Sequence, residues 1–250
     1  MTEVIILCAG YATRLYPLTK NRPKPLLPIA GRPLLDYTLD RLKGVPGLGE
    51  MYLITNHRFV THFQAWASGH KEAQIQVMDD GTSTNEDRLG AIGDIDFLLK
   101  RRDVRSDCLV VGGDNLFDFE LKGFVEFALK NKPALSIGAY DCKSLEAARQ
   151  FGLVKLDARH RVVEFQEKPA NPQSTLAAMC LYFFPHSTLS RIAEYMGSGE
   201  NRDAPGHYIQ WNAKKHPVYA YVFDEPWFDI GHIEAYQKAE EEFRAKAKSR

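Results

Sequence analysis

Between Gly10 and Leu35 the chain carries five basic residues, Arg14, Lys20, Arg22, Lys24 and Arg32, and no acidic one. A triphosphate carries about four negative charges, so fixed cations and exposed backbone N–H groups gathered in one loop suit it. Gly10 lets a ligand approach the backbone closely, and the several prolines stiffen the loop. The loop is neither a G-x-x-x-x-G-K-[ST] phosphate loop nor a dinucleotide fingerprint. Composition alone leaves a plain basic surface loop equally open. Further on, Gly113-Asp114-Asn115 closes the apolar run Leu109-Val-Val. An aspartate at the carboxyl end of a central strand faces the ligand crevice and can bind a hard cation such as Mg²⁺, although the tripeptide taken alone also reads as a turn. Phe151-Gly152-Leu-Val followed by Val162 to Pro169 reads as a hairpin ending in Glu167-Lys168. Trp227-Phe-Asp229-Ile-Gly231 adds a late carboxylate, which the residues alone allow to be a helix cap. No convincing nucleophile–base motif accompanies these groups.

The elements that must position them alternate. Val4 to Cys8, Met51 to Thr55, Ile75 to Met78 and Cys108 to Val111 read as buried strands. Helical patterns lie between and after them, at Pro33 to Lys43, Phe59 to Ala67, Arg88 to Lys100 and Leu121 to Lys130. This order predicts an α/β fold, Rossmann-like, with a mixed, mostly parallel sheet flanked by helices. The basic loop follows the first strand, where an open sheet of this kind places its ligand. After Pro133, strand-like runs at Ala134 to Ala139, Leu153 to Leu156, Val162 to Phe165 and Leu181 to Phe184 predict a small antiparallel extension. A helix at Leu189 to Met196, a loop rich in Gly, Asn and Asp, a strand at Val218 to Phe223 and a terminal helix from Ile233 to about Lys246 complete the expectation. Glu240–Arg244 and Glu242–Lys246 give that last helix a solvated, structural character. Without a linker, repeat or sharp boundary, residues 1–250 read as one domain, ending too soon after the last helix for a further acyltransferase or hexapeptide-repeat unit.

Lys+Arg and Asp+Glu balance at 32 each, which argues against a dedicated nucleic-acid or membrane-surface binder. Cys8, Cys108, Cys142 and Cys180 form no C-x-x-C pair and read as buried free thiols, and the histidines lack zinc-ligand spacing. With no leader and no apolar run of transmembrane length, a cytoplasmic protein is expected. A homo-oligomer is left open.

The order of residues adds what composition does not. Leu7-Cys-Ala9-Gly10-Tyr11-Ala-Thr13-Arg14-Leu15-Tyr-Pro17-Leu18-Thr19 with Lys24-Pro25 resembles the L-x-x-G-x-G-T-R-L-x-P-L-T…K-P loop of the sugar nucleotidylyltransferases. Gly113-Asp114-Asn115, the F-G-x-V…F-x-E-K-P element at Phe151–Pro169, and the W-x-D-I-G element at Trp227–Gly231 follow in the family's order across nearly the whole chain. The resemblance implies a nucleotidyltransferase that joins a nucleoside triphosphate to a sugar 1-phosphate and releases pyrophosphate. It implies Mg²⁺ on Asp114 and Asp229, with Arg14, Lys24 and Lys168 as catalytic residues. Arg14 would hold the departing pyrophosphate, Lys24 the phosphates near the reacting phosphorus, and Lys168 the acceptor phosphate. Substrate contacts would come from Ala9, Gly10, Tyr11, Gly90, Gly152 and Glu167. Its partners would be the triphosphate and the phosphorylated acceptor.

The pattern is broken in four places. Ala12 stands where the family has its second glycine. The segment from Asp80 to Gly93 lacks the family's base-reading glutamine and G-T-A run, with only Gly90-Ala91 as a counterpart. Met179-Cys180 and the segment from Asp203 to Trp211 replace parts of the sugar pocket. The altered pocket keeps open a cytidylyltransferase acting on a non-sugar phosphate acceptor. A nucleotide-sugar-binding regulatory module without catalysis is a second alternative, against which Asp114, Asp229, Lys24 and Lys168 argue. A retaining glycosyltransferase would use an Asp-x-Asp pair, and Asp94-Ile-Asp96 has that spacing but falls within a predicted helix.

Overall fold

Alternation of apolar side chains puts both faces of the first strand under cover. In β1 (Thr2–Leu7), Val4 and Ile6 enter one core and Ile5 the other, all fully buried. The computed structural model describes residues 1–248. A short ladder of β2 (Pro28–Ile29) and β3 (Arg32–Pro33) leads into α1 (Leu34–Lys43). Then come β4 (Leu48–Thr55), α2 (Val60–Ser68), β5 (Ile75–Asp79), α3 (Ala91–Arg101), β6 (Asp107–Gly112), β7 (Asn115–Phe117) and α4 (Lys122–Lys130). β5, β4, β1 and β6 lie side by side and parallel. All their carboxyl ends therefore open on one edge, the edge from which the Gly10 loop departs.

The second half supplies β8 (Leu135–Asp141), α5 (Leu145–Ala148), β9 (Gly152–Leu156), β10 (Val162–Glu167), β11 (Leu176–Phe184) and α6 (Ser190–Gly197). It ends with α7 (Pro205–Ala213), β12 (Val218–Phe223), β13 (Trp227–Asp229) and α8 (Ile233–Lys248). β11 runs antiparallel to β6 and carries the sheet on to β8 and β9, while β12 pairs with β8 in parallel. The fold is thus a mixed, mostly parallel-cored sheet with antiparallel additions, flanked by helices.

Cover on one face comes from Leu35, Leu39 and Leu42 of α1, Phe63 of α2 and Phe124 and Ala128 of α4. The other face is covered by Ile92, Ile95 and Leu98 of α3, Ile192 of α6 and Tyr208 and Ile209 of α7. Each of the Leu, Ile and Phe side chains among them contributes about 1.5–3 kcal/mol by leaving water. A third, smaller core holds α8 through Ala239 and Phe243 against Leu15, Leu34, Leu116 and Ile230. Arg244 pairs with Glu240 as the spacing predicts, and Lys246 donates to Asp118.

Several expectations need correction. The segment after residue 203 is a helix, α7, where a Gly-, Asn- and Asp-rich loop is predicted. Pro205 occupies its first turn, where a missing N–H costs nothing. α3 starts only at Ala91, because Gly90 before it has φ +79°. Pro33 precedes α1 and pairs with Pro28 in the small ladder. β11 starts at Leu176, well before Leu181. No helix among the described residues is long and apolar enough to cross a membrane.

Candidate active site

A cavity of about 560 Å³ opens at the carboxyl ends of the parallel strands and reaches across to β9, β10 and β11. Ala9, Gly10, Tyr11, Arg14, Gly90, Asp114, Gly152, Glu167, Lys168 and Asp229 all line it. Lys24 is the one predicted site residue outside that lining. It lies behind Asp114, donating from Nζ to Asp114 Oδ2 at 2.6 Å and to the Ile230 carbonyl at 2.9 Å.

The Gly10 loop is anchored at both ends. Asn56 donates to the Ala9 carbonyl, and the fully buried Thr19 hydroxyl donates to the Ala12 carbonyl at 2.8 Å. Ala12 itself has φ +48° and ψ +41°, so the backbone keeps a left-handed turn where the family's glycine is missing. A Cβ built on Gly10 meets no atom within 4 Å, which leaves that stretch of backbone open to a ligand. Arg14 follows in a short 3₁₀ turn and is exposed toward the cavity.

Asp114 stands in the turn between β6 and β7, and the β7–β13 ladder sets Asp229 opposite Asn115. Asp229 is therefore a strand residue here, not a helix cap. Trp227 Nε1 and the Cys180 carbonyl hold the Asn115 side chain and lock the ladder to β11. Burial works against ionisation of Asp114, but the Lys24 ammonium, with Arg14 behind it, holds its carboxyl below the usual range. Asp229 is pushed the other way, by burial and then by the charge of Asp114. A cation between the two carboxylates would remove that repulsion. Mg²⁺ suits such a place, because it keeps several waters and takes one or two carboxylates plus phosphate oxygens. No cluster of three or more His, Cys, Asp or Glu able to hold a metal occurs among the described residues.

At the opposite end, Glu167 closes β10. A Cβ on Gly152 would fall 2.8 Å from Glu167 Oε2, and one on Gly206 only 2.1 Å away. The carboxylate is thus wedged between two glycines, and burial raises its pKa. Lys168 has φ +43° and donates its N–H to the Phe151 carbonyl, a strained turn that leaves its side chain exposed on the cavity wall. Phe151 and Trp227 stand together on this wall with ring centroids 5.3 Å apart.

Gly206, Arg88 and Asp203, which fall in the departing segments but to which the sequence assigns no role of their own, also line the cavity. Pro205 opening a helix is the signal that would have located the first. Asp94 and Asp96 are two positions apart in α3 and are employed separately: the buried Asp94 lines the cavity, while Asp96 accepts from Lys100, so they do not form a metal-binding dyad.

A family model described as nucleotidyl transferase matches residues 3–246. The chain belongs to the nucleotidyl transferase family. Among relatives, the bifunctional protein GlmU of Methanocaldococcus jannaschii is 30% identical over 236 residues, covering 92% of this chain and 51% of that protein. The glucose-1-phosphate adenylyltransferase of Dechloromonas aromatica is 30% identical over 269 residues, covering 95% and 60%. The chain spans about half to two thirds of the length of the curated relatives it matches. A crystal structure from Bacillus anthracis, described as a glucose-1-phosphate thymidylyltransferase in complex with sucrose, superposes with a TM-score of 0.83. It covers 98% of this chain and 96% of its own at 21% identity, a likeness of fold.

Proposed function

We propose that this member of the nucleotidyl transferase family joins a nucleoside triphosphate to a phosphorylated small molecule, a sugar 1-phosphate, giving the nucleotide-sugar and pyrophosphate. The observation that carries this reading is the arrangement of charge around one cavity. A glycine loop with Arg14 and the Lys24–Asp114–Asp229 cluster lie on one side, and Glu167-Lys168 lies on the other. We read residues 1–250 as a single nucleotidyltransferase domain, working in the cytoplasm.

In this account the triphosphate lies along the Gly10 loop, with its base toward Tyr11 and Gly90. The acceptor lies between Gly152 and Glu167, its phosphate on Lys168. An oxygen of that phosphate attacks the α-phosphorus in line, and the bond to the bridging oxygen of pyrophosphate breaks. A phosphate monoester is anionic near neutral pH, so no side chain has to remove a proton. Catalysis then rests on positioning and on charge neutralisation. Arg14 takes the charge that builds on the leaving pyrophosphate. Lys24 orients Asp114 and adds a positive charge behind the reacting centre. Asp114 and Asp229 would hold Mg²⁺, which when bound would neutralise charge on the phosphate oxygens.

The test is a pyrophosphate-release matrix of nucleoside triphosphates against sugar 1-phosphates and alcohol or amine phosphates, with Mg²⁺. Release that requires both substrates supports the reading. Free nucleoside diphosphate formed from a nucleotide-sugar donor would replace it with glycosyl transfer.

A further inference from the structure

The two walls of the cavity are joined at a place that the chemistry above does not use. Arg88, just before α3 on the triphosphate side, reaches Asp203, just before α7 on the acceptor side. Its Nε donates to Asp203 Oδ1 at 2.7 Å and its Nη2 to Oδ2 at 2.9 Å, a two-pronged contact. Its Nη1 donates to the Asn85 carbonyl, so the guanidinium is turned toward protein on every edge that counts. The backbone repeats the link: Ala91 N–H donates to the Asp203 carbonyl and Ile92 N–H to the Arg202 carbonyl, at 3.2 and 3.1 Å. Two of the N–H groups left free at the start of a helix are thereby closed. Gly90 allows this approach, since a Cβ there would stand 2.6 Å from the Arg202 carbonyl oxygen.

From Asp203 the chain passes through Ala204 and Pro205 to Gly206, which touches Glu167 so closely that no Cβ fits between them. The path from Arg88 to Glu167 is therefore short and without slack. Hydrogen bonding from Arg88 also keeps the Asp203 carboxyl below its ordinary range, so the pair is charged at neutral pH.

We infer that Arg88 and Asp203 form a clamp across the cavity that positions Glu167, so that this pair sets affinity for the phosphorylated acceptor and not for the nucleotide. The inference rests on the nucleotidyl-transfer reading for the assignment of the two walls. The Asp203 side chain is 52% exposed and that of Arg88 37%, so solvent screens the pair and its contribution to the stability of the fold is modest, even with two-pronged geometry. A planar fork holding both carboxylate oxygens is something a lysine does not reproduce.

The experiment is steady-state pyrophosphate release with each substrate varied in turn, on wild type, Arg88→Lys, Arg88→Ala, Asp203→Asn and the exchanged pair Arg88→Asp/Asp203→Arg. Each single substitution is expected to raise the acceptor KM about tenfold while the triphosphate KM stays within about twofold. Arg88→Lys should not rescue, and the exchanged pair should recover much of the loss. Equal rises in both KM values, no rise at all, or unfolding of Arg88→Lys in a thermal melt would each overturn the clamp. A wild-type chain that releases no pyrophosphate with any substrate pair overturns the nucleotidyl-transfer reading and the clamp with it. An active wild type without the KM split overturns the clamp alone.

Discussion

The triphosphate wall and the acceptor wall of the cavity are built by different means. The first is a local object. One loop leaves the buried strand β1, is pinned by Asn56 and Thr19, and is tied to the turn after β6 by a single ion pair, Lys24–Asp114. The second is an assembled object. Glu167 depends on the β9–β10 pairing, on the bare backbone of Gly152 and on α7 arriving with Gly206. Charge dominates the first wall and close packing the second. Losses of the charged groups of the triphosphate wall should therefore appear in turnover, and losses in the packing that holds Glu167 should appear in KM.

The largest expected effect comes from removing the divalent cation. Chelation should lower turnover at least about a hundredfold, with recovery on adding Mg²⁺, as measured by pyrophosphate release. Persistent turnover in excess chelator would take Asp114 and Asp229 out of the chemistry. Next, Asp114→Asn or Lys24→Ala should cut kcat at least about tenfold, equivalent to roughly 1.4 kcal/mol of barrier. Near-wild-type kcat in both would erase the distinction between the walls from the triphosphate side. On the acceptor side, Gly152→Ala crowds Glu167 and should raise the acceptor KM about fivefold, with the triphosphate KM unmoved. A fall in kcat alone would mean that close packing is not what governs that wall. The smallest effect is on stability. Ala12→Gly relieves a left-handed alanine but loosens the unfolded chain, and should stabilise by about 0.5 kcal/mol in denaturant melts. Destabilisation would show that the loop depends on the alanine methyl.

The same contrast decides what was legible in the sequence. The parallel half could be read because β1, β4, β5 and β6 are short apolar runs separated by amphipathic helices, and each signal is local. Arg14, Asp114 and Asp229 were legible through motif order, and the structure sets all three on one cavity. Lys24 shows where that reading stops. Its position behind Asp114 depends on a contact between residues 90 apart in sequence. β7 and β13 are three residues each and carry no periodicity, so the ladder that presents Asp229 is visible only when folded. α7 was hidden by the Gly, Asn and Asp residues around its start, although Tyr208 and Ile209 are fully buried beneath it. Arg88 and Asp203 fall in the two segments that depart from the family's pattern, but the link between them is a contact between residues 115 apart and has no local signal.

The most direct test of nucleotidyl transfer is to follow the α-phosphorus itself. A triphosphate carrying ³²P at the α-position is incubated with sugar 1-phosphate, Mg²⁺ and the wild-type chain, and the products are separated. The account predicts label in a nucleotide-sugar with one unlabelled pyrophosphate released per label transferred. Label that remains in free nucleotide, or that moves only when a nucleotide-sugar is the donor, would contradict it.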